Sequence, residues 1–483
     1  MIQRMRLFID KRGTVLFFIF TVFLFLTYTY DDLVITQGHG IVFWDALFSG
    51  NLFNFYQYCA DHAAGFAGYD MTIYFIFAIW NLPCWIFEKI SGLHAQNYEL
   101  WITYGKAIVL IAYYISVRQF AGIYKKICAK FPEDDKPSLS VKAATFYYAA
   151  SMLLLCYSVL SGNYDILSLV LILAGINAFL DHKKMAFLLF FAIATSMKFF
   201  AAWLFLPLLL LKEKNVLRII VNMVLCFIPA AAESLIFHKS GVLTASGNEW
   251  YAAGSGVVGL AQSGKIDFFG IGSVSLCVLL YLLLCIYCYM QKNEDTPVYI
   301  RKMIYASASA WMIFFLMYWF NCYWIVLMVP FVVLLVVTNS RDQFISTILE
   351  LFFSVAFYIN CQIRQGWVLG RFYKHGLLKE VFVKVFGFGN FETGTLGAMI
   401  DMNRLNATYS IEIFVNSIIV AVAIALLVIH FPGKRNQDSL TGMSVTSRDT
   451  SICLTVRNAI SILVPVIPVL CYVYQMVMHN VSN

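Results

Sequence analysis

SGNYDILSLVLILAGINAFLDHKKMAFLLFFAIATSMKFFAAWLFLPLLLLKEK, residues 161–214, decides the fold class of this 483-residue chain. Its long apolar runs are interrupted only by DHKK at 181–184 and TSMK at 195–198, and it closes on Lys212 and Lys214. Residues 165–181 read as one helix able to cross about 30 Å of hydrocarbon. The run 185–211 carries basic residues at both ends and a polar break in the middle. That pattern predicts two half-helices that rise and return, with Lys198 near the tip, because backbone freed at the break must be satisfied by protein or water.

The composition extends this reading to the whole chain. Hydrophobic residues make up 61%, aromatics 17% and charged residues 13%, with a mean hydropathy of +0.75. Soluble domains carry roughly 25% charged residues, so an all-α integral membrane protein is expected. The net charge of +7 reports topology before it reports partners. Of the twelve cysteines, Cys285 and Cys288 form one CxxC spacing, but that pair, like most of the others, sits in an apolar run, as small packing residues do. MIQRMRLFIDKRG at the start is basic and leads into an apolar run without an A-x-A-like site, so it reads as an uncleaved first span.

Eleven spans are expected: 14–30, 101–118, 143–160, 165–181, 216–236, 271–290, 303–320, 322–338, 345–361, 411–430 and 459–478. Basic clusters at Arg4 to Arg12, Arg118 to Lys142, Lys183/Lys184, Lys212 to Arg218 and Lys292 to Lys302 all belong on the cytoplasmic side. Alternation satisfies them only if 71–90, with Pro83 inside it, dips in and returns like 185–211. The chain then forms one polytopic domain of eleven crossings plus two re-entrant segments. The loops 31–70 and 362–410 lie outside, and the loops 119–142 and 433–458 are cytoplasmic.

The outer loops hold the residues with chemistry. TQGHGIVFWDALFSGNLFNFY at 36–56 has no Lys or Arg, and the first loop supplies Asp31, Asp32, His39 and Asp45 with no cation in the loop to pair them. A carboxylate beside low-dielectric surface without a counter-charge suits a general base, although Asp31 and Asp32 also suit the start of a helix. HGIVFWDALFSGNLFNFY reads as a short interfacial helix with Phe43, Leu47 and Phe48 on one side and Asp45 on another, ended by Gly50. SGNYD puts Asn163 and Asp165 on the same side. Lys198 is a charge in an apolar hairpin, able to meet a lipid phosphate or to pair with a carboxylate. Tyr323 lies in the aromatic turn YWFNCYW at 318–324, and the 362–410 loop adds cations that include Arg364 and Arg371. Phosphate-bearing ligands and anionic headgroups both fit that surplus. Walker, HExxH and GxSxG patterns are missing from the sequence, and no feature asks for a nucleic acid.

The order of these features resembles the GT-C type of membrane glycosyltransferase that uses polyprenyl- or dolichyl-phosphate sugars. It is most similar to the family of the first GPI-anchor mannosyltransferase and its bacterial relatives. The strongest piece is residues 161–214. FWDALFSGNLFNFY and FNCYWIVLMVPF agree in order and spacing, and the similarity is usable over about residues 30–335.

The resemblance implies a GT-C-like fold, a first outer loop with catalytic acids, and a lipid-linked sugar donor. Asp45 matches an acidic position of the family, whereas Gln37-Gly38-His39 stands where eukaryotic members carry a D-x-D pair. That departure leaves open which residue is the base and whether a divalent cation takes part. It also points away from GPI synthesis, toward a bacterial plasma-membrane enzyme acting on a cell-surface glycan or a lipid-linked acceptor. The expected roles are Asp45, then Asp31 or Asp32, as base, with His39 as partner or as the base itself. Asn163, Asp165, Lys198, Tyr323, Arg364 and Arg371 would hold substrate. A lipid-linked oligosaccharide flippase or exporter, or a glycan polymerase or ligase, is the alternative.

Overall fold

A computed structural model describes residues 11–63, 67–237, 264–268, 270, 272–292, 296–318, 320–389, 402–433 and 446–482. Arg4, Arg6 and most of 237–270 fall outside the described residues. So do 390–401 of the expected outer loop and 434–445 of the expected cytoplasmic one.

Helices overlie all eleven expected segments. Among the described residues, six are long and apolar enough to cross a membrane, or nine if each of three bent pairs is one span. Helices Asp165–Leu180, Leu276–Met290 and the segment Cys322–Val337 are shorter. The described strands are one antiparallel pair, Lys265–Phe268 with Gly272–Ser275, in which Lys265 faces Ser275. The Val216–Ile236 helix turns most of its surface outward, exposing Leu217, Ile220 and Val224, as a lipid-facing helix must.

The breaks follow local chemistry. Met71–Trp80 and Leu82–Ser91 meet at 61° across Asn81. Pro83 falls in the first turn of the second helix, where its missing N–H costs no hydrogen bond. The apolar run 185–211 divides into Lys184–Met197 and Phe200–Lys212, with Lys198 at the break in extended backbone, φ −150° and ψ 114°.

Four expected loops contain helix among their described residues. The expected first outer loop contains the helix Asp31–Phe48, which begins eight residues before His39 and bends 76° from the first helix. Asp31 and Asp32 occupy its first turn, where a helix favours negative charge. Gly38 and Gly40 do not end it; they allow close packing, because a Cβ at Gly40 would come within 2.8 Å of the Phe77 backbone. The cytoplasmic loop expected at 119–142 begins as helix: Glu99–Lys130 runs on through QFAGIYKKICAK, which contains no proline, until just before Pro132. The expected outer loop 362–410 includes Leu377–Glu380 and Met402–Tyr409. The segment 433–458 enters the helix Ser447–Leu463, started by the Thr446 side chain accepting the Asp449 N–H.

That last correction brings a charge inside. Arg457, expected in a cytoplasmic loop, is fully buried against Glu350 of the helix Gln343–Gln365. At the opposite end of the bundle, buried Lys106 donates to the carbonyls of Phe25, Tyr28 and Leu160 at 2.7, 2.5 and 2.9 Å. One lysine thereby ties the end of Lys11–Thr27 to the π-helix Leu155–Leu160.

Candidate functional site

The first-loop acids go to three different places. Asp31 is clamped by Arg371 at 2.9 Å and Lys374 at 2.7 Å. His375 of the same segment bridges to Glu99 at 3.4 Å, and Glu99 also accepts the Gly376 N–H at 2.8 Å. Asp32 Oδ2 accepts a hydrogen bond from the Tyr69 hydroxyl at 3.0 Å. Asp45 pairs with Lys89 at 2.7 Å and accepts from Trp85 Nε1 at 2.9 Å. The expectation of acids without cations is therefore overturned for Asp31 and Asp45, because their partners come from residues 371–374 and from Lys89, distant in sequence.

Helical phase explains the division. Asp32, Thr36, His39 and Phe43 follow the i, i+4, i+7, i+11 spacing of one helix face. They meet Tyr69, Tyr164, Tyr74 and Phe55 in turn: Thr36 Oγ1 donates to the Tyr164 hydroxyl at 3.0 Å, the rings of His39 and Tyr74 are edge-on at 5.5 Å, and Phe43 lies 5.8 Å from Phe55. Asp45, six residues beyond His39, is turned by about 240°. The expected His39–Asp45 partnership is not formed; Asp45 belongs to the interface with Leu82–Ser91.

Lys198 and Asp165 form the centre. Lys198 Nζ stands 2.9 Å from Asp165 Oδ1, with the two side chains 8% and 1% exposed. The ammonium also lies 4.4 Å from the centre of the Tyr69 ring and 5.2 Å from that of Trp324, where ring quadrupoles favour a cation. Asn163 Oδ1 accepts the Asp165 N–H at 3.0 Å, fixing the helix start. Tyr323 is buried beside it, its hydroxyl 2.9 Å from Asn321 Nδ2 and its ring 6.2 Å from Tyr30. Burial pushes the Asp32 carboxyl above the usual carboxylate range, while Lys198 and hydrogen bonds from Tyr69, Tyr323 and Tyr164 pull it back.

Of the ten candidate residues, Asp32, Asn163, Asp165, Lys198 and Tyr323 gather at this centre, with Asp31 and Arg371 on its flank. His39 lies further along the same helix face. Asp45 and Arg364 do not join; Arg364 is half exposed and 3.6 Å from Glu412. Tyr69, Tyr164, Glu99 and Lys106 were missed. Lys106 had a visible signal, a charge inside an expected span; the tyrosines had none in a chain with 28 of them.

The centre contains buried polar atoms that make no hydrogen bond to the described residues: Asn163 Nδ2, Asp165 Oδ2, Ser161 Oγ and Ser168 Oγ. Buried polar groups are rarely left so, and this set can serve hydroxyl groups of a ligand. A metal fits less well, since no group of three His, Cys, Asp or Glu with suitable geometry occurs among the described residues. A scan of family models, a search of curated proteins and a search of solved structures each find no match to the chain.

Proposed function

We propose that the chain is a GT-C-like glycosyltransferase of eleven crossings in one domain. It transfers a sugar from a polyprenyl-phosphate carrier to a hydroxyl of a cell-surface glycan or lipid-linked acceptor on the extracytoplasmic face of a bacterial plasma membrane. The observation that carries the reading is the convergence of Asp32, Lys198, Asp165, Arg371 and unsatisfied buried polar atoms at one end of an apolar helical bundle. Acids spread along a transport path would favour an exporter instead.

In this reading Asp32, a half-buried carboxylate oriented by Tyr69, takes the proton of the acceptor hydroxyl. The acceptor oxygen forms the new bond to the anomeric carbon as the bond from that carbon to the phosphate oxygen breaks, and the lipid phosphate leaves with the electron pair. Arg371 and Lys374 hold that phosphate, offsetting the charge that develops on it. Lys198, already neutralised by Asp165, positions the sugar with Asn163 and Tyr323. Asp45 is not needed, and no step uses a metal.

The test is the purified protein reconstituted with polyprenyl-phosphate sugars and a surface-glycan acceptor. Sugar transfer by the wild type and its loss in Asp32→Asn supports the reading. Movement of lipid-linked glycan across the bilayer without transfer would replace it with the exporter.

A further inference from the structure

A second site lies at the other end of the bundle. A cavity of about 390 Å³, within the size range of small-molecule sites, is lined by Asp135, Arg301, Lys302, Asn339, Arg341 and His430 above an apolar wall. It is separated from the Tyr323 turn by the helix Pro297–Met317, whose 21 residues span roughly 30 Å. The two sites therefore occupy opposite faces of a layer about as thick as a bilayer core.

The chemistry of the cavity is cationic. Arg301 reaches Asp135 at 2.5 Å and Arg341 reaches it at 3.8 Å, so one carboxylate holds two guanidinium groups in place. Lys302, half-buried, has no ion-pair partner among the described residues. Three cations against one carboxylate leave a surplus of two positive charges on the lining, apart from His430, whose Nε2 lies 3.0 Å from Ser346 Oγ. Asp342 follows Arg341 in the chain but does not line the cavity. Two helices begin here, Pro297–Met317 and Gln343–Gln365, and two end, Val329–Val337 and Ile411–Ile429. Their dipoles offset one another, so the side chains decide the sign. Preset guanidinium groups beside a flexible ammonium are a phosphate-recognising set. Val298, Ile304, Leu335, Ile429 and Phe431 supply apolar surface next to it.

We propose that this cavity binds a phosphate ester anion from the basic face of the membrane, with Arg301, Arg341 and Lys302 as its donors. Basic pockets between helices on the cytoplasmic side recognise acidic lipid headgroups by the same chemistry. The site is independent of the sugar-transfer reading and would stand if that reading fell.

The test uses the full chain in neutral detergent, with binding followed by thermal stabilisation and by native mass spectrometry. The probes are dihexanoyl phosphatidylglycerol, dihexanoyl phosphatidylcholine and inorganic phosphate. The expected result is retention of phosphatidylglycerol and about tenfold weaker binding in Lys302→Gln, the loss of one charge-assisted contact. Lys89→Gln, at the other end of the bundle, should bind as the wild type does. Stabilisation by phosphatidylglycerol but not phosphate identifies a lipid headgroup as the source, and stabilisation by both identifies a free phosphate ester. No preference for phosphatidylglycerol or phosphate over phosphatidylcholine would overturn the proposal. So would unchanged binding in both Lys302→Gln and Arg341→Gln.

Discussion

Arg457 grips Glu350 inside the bundle through two hydrogen bonds of 2.8 Å, Nε to Oε2 and Nη2 to Oε1. The surroundings complete the pair. The Tyr147 hydroxyl and Ser354 Oγ donate to the carboxylate at 2.8 and 2.9 Å, and Arg457 Nη1 donates to the Tyr147 carbonyl at 2.8 Å. The guanidinium lies 3.7 Å from the centre of the Tyr147 ring. Three helices, Val141–Ala149, Gln343–Gln365 and Ser447–Leu463, are thereby joined by charges that are costly to bury singly.

Breaking one half should therefore be worse than removing both. Arg457→Ala is expected to lower stability by about 3–5 kcal/mol because Glu350 is left buried and unpaired, while Arg457→Met with Glu350→Leu should lose far less. Thermal unfolding in one detergent compares them; equal losses would show that the pairing is not what matters.

The two aspartates of the helix Asp31–Phe48 should separate in activity. Asp32→Asn should lower kcat for sugar transfer by about 10²–10⁴, the usual contribution of a general base. Asp45→Asn, which only loosens a surface pair with Lys89, should stay within about tenfold of wild type. The reverse ranking at matched expression would return the role to Asp45.

Acidity offers an independent check on Asp32. Its carboxyl is raised by burial, so the base form is lost at a higher pH than for an ordinary aspartate, and the acidic limb of the rate profile should sit correspondingly high. Tyr69→Phe removes a hydrogen bond to the ionised form, so that limb should move to still higher pH. A limb unmoved by Tyr69→Phe would remove Asp32 as the titrating group.

Gly162 tests the lysine anchor. Its φ is +81°, and a Cβ there would lie 2.8 Å from the Lys106 Cε. Gly162→Ala should cost about 1–2 kcal/mol from the backbone alone, plus the displacement of Lys106 from its three carbonyls. Gly50, at φ +75° with open space around it, is the control: Gly50→Ala should show only the backbone part. Equal melting points would mean that Lys106 moves without cost.

Orientation can be read by labelling. With the partly exposed Cys128, Cys453 and Cys471 replaced by serine, a cysteine at exposed Asn51 should react with an impermeant maleimide in intact cells. A cysteine at exposed Glu133 should react only after permeabilisation. The opposite pattern would invert the topology and move the Lys198 centre inside.

Much of the fold was legible because a helix in an apolar setting is a local property. Run length, Pro83 and the polar break ending at Lys198 were enough to place the helices and two of their breaks. Helix ends were less legible: Glu99–Lys130 passes its expected stop because no proline precedes Pro132, and Ser447–Leu463 starts inside a polar stretch because Thr446 caps it.

By itself the sequence determined an all-α chain with helices able to cross a membrane. It also marked Asn163, Asp165 and Lys198 as charged or polar exceptions worth a reason, since such residues are costly in apolar runs wherever they end up. Which charges meet was decided only by the tertiary structure. Lys198 with Asp165, Arg371 with Asp31 and Arg457 with Glu350 are pairs between segments 33 to 340 residues apart. The face on which Asp32 rather than Asp45 points into the centre depends on how one helix is rotated against its neighbours. Coulomb attraction and desolvation act over a few ångströms of space, and the order of residues along a chain does not state those distances.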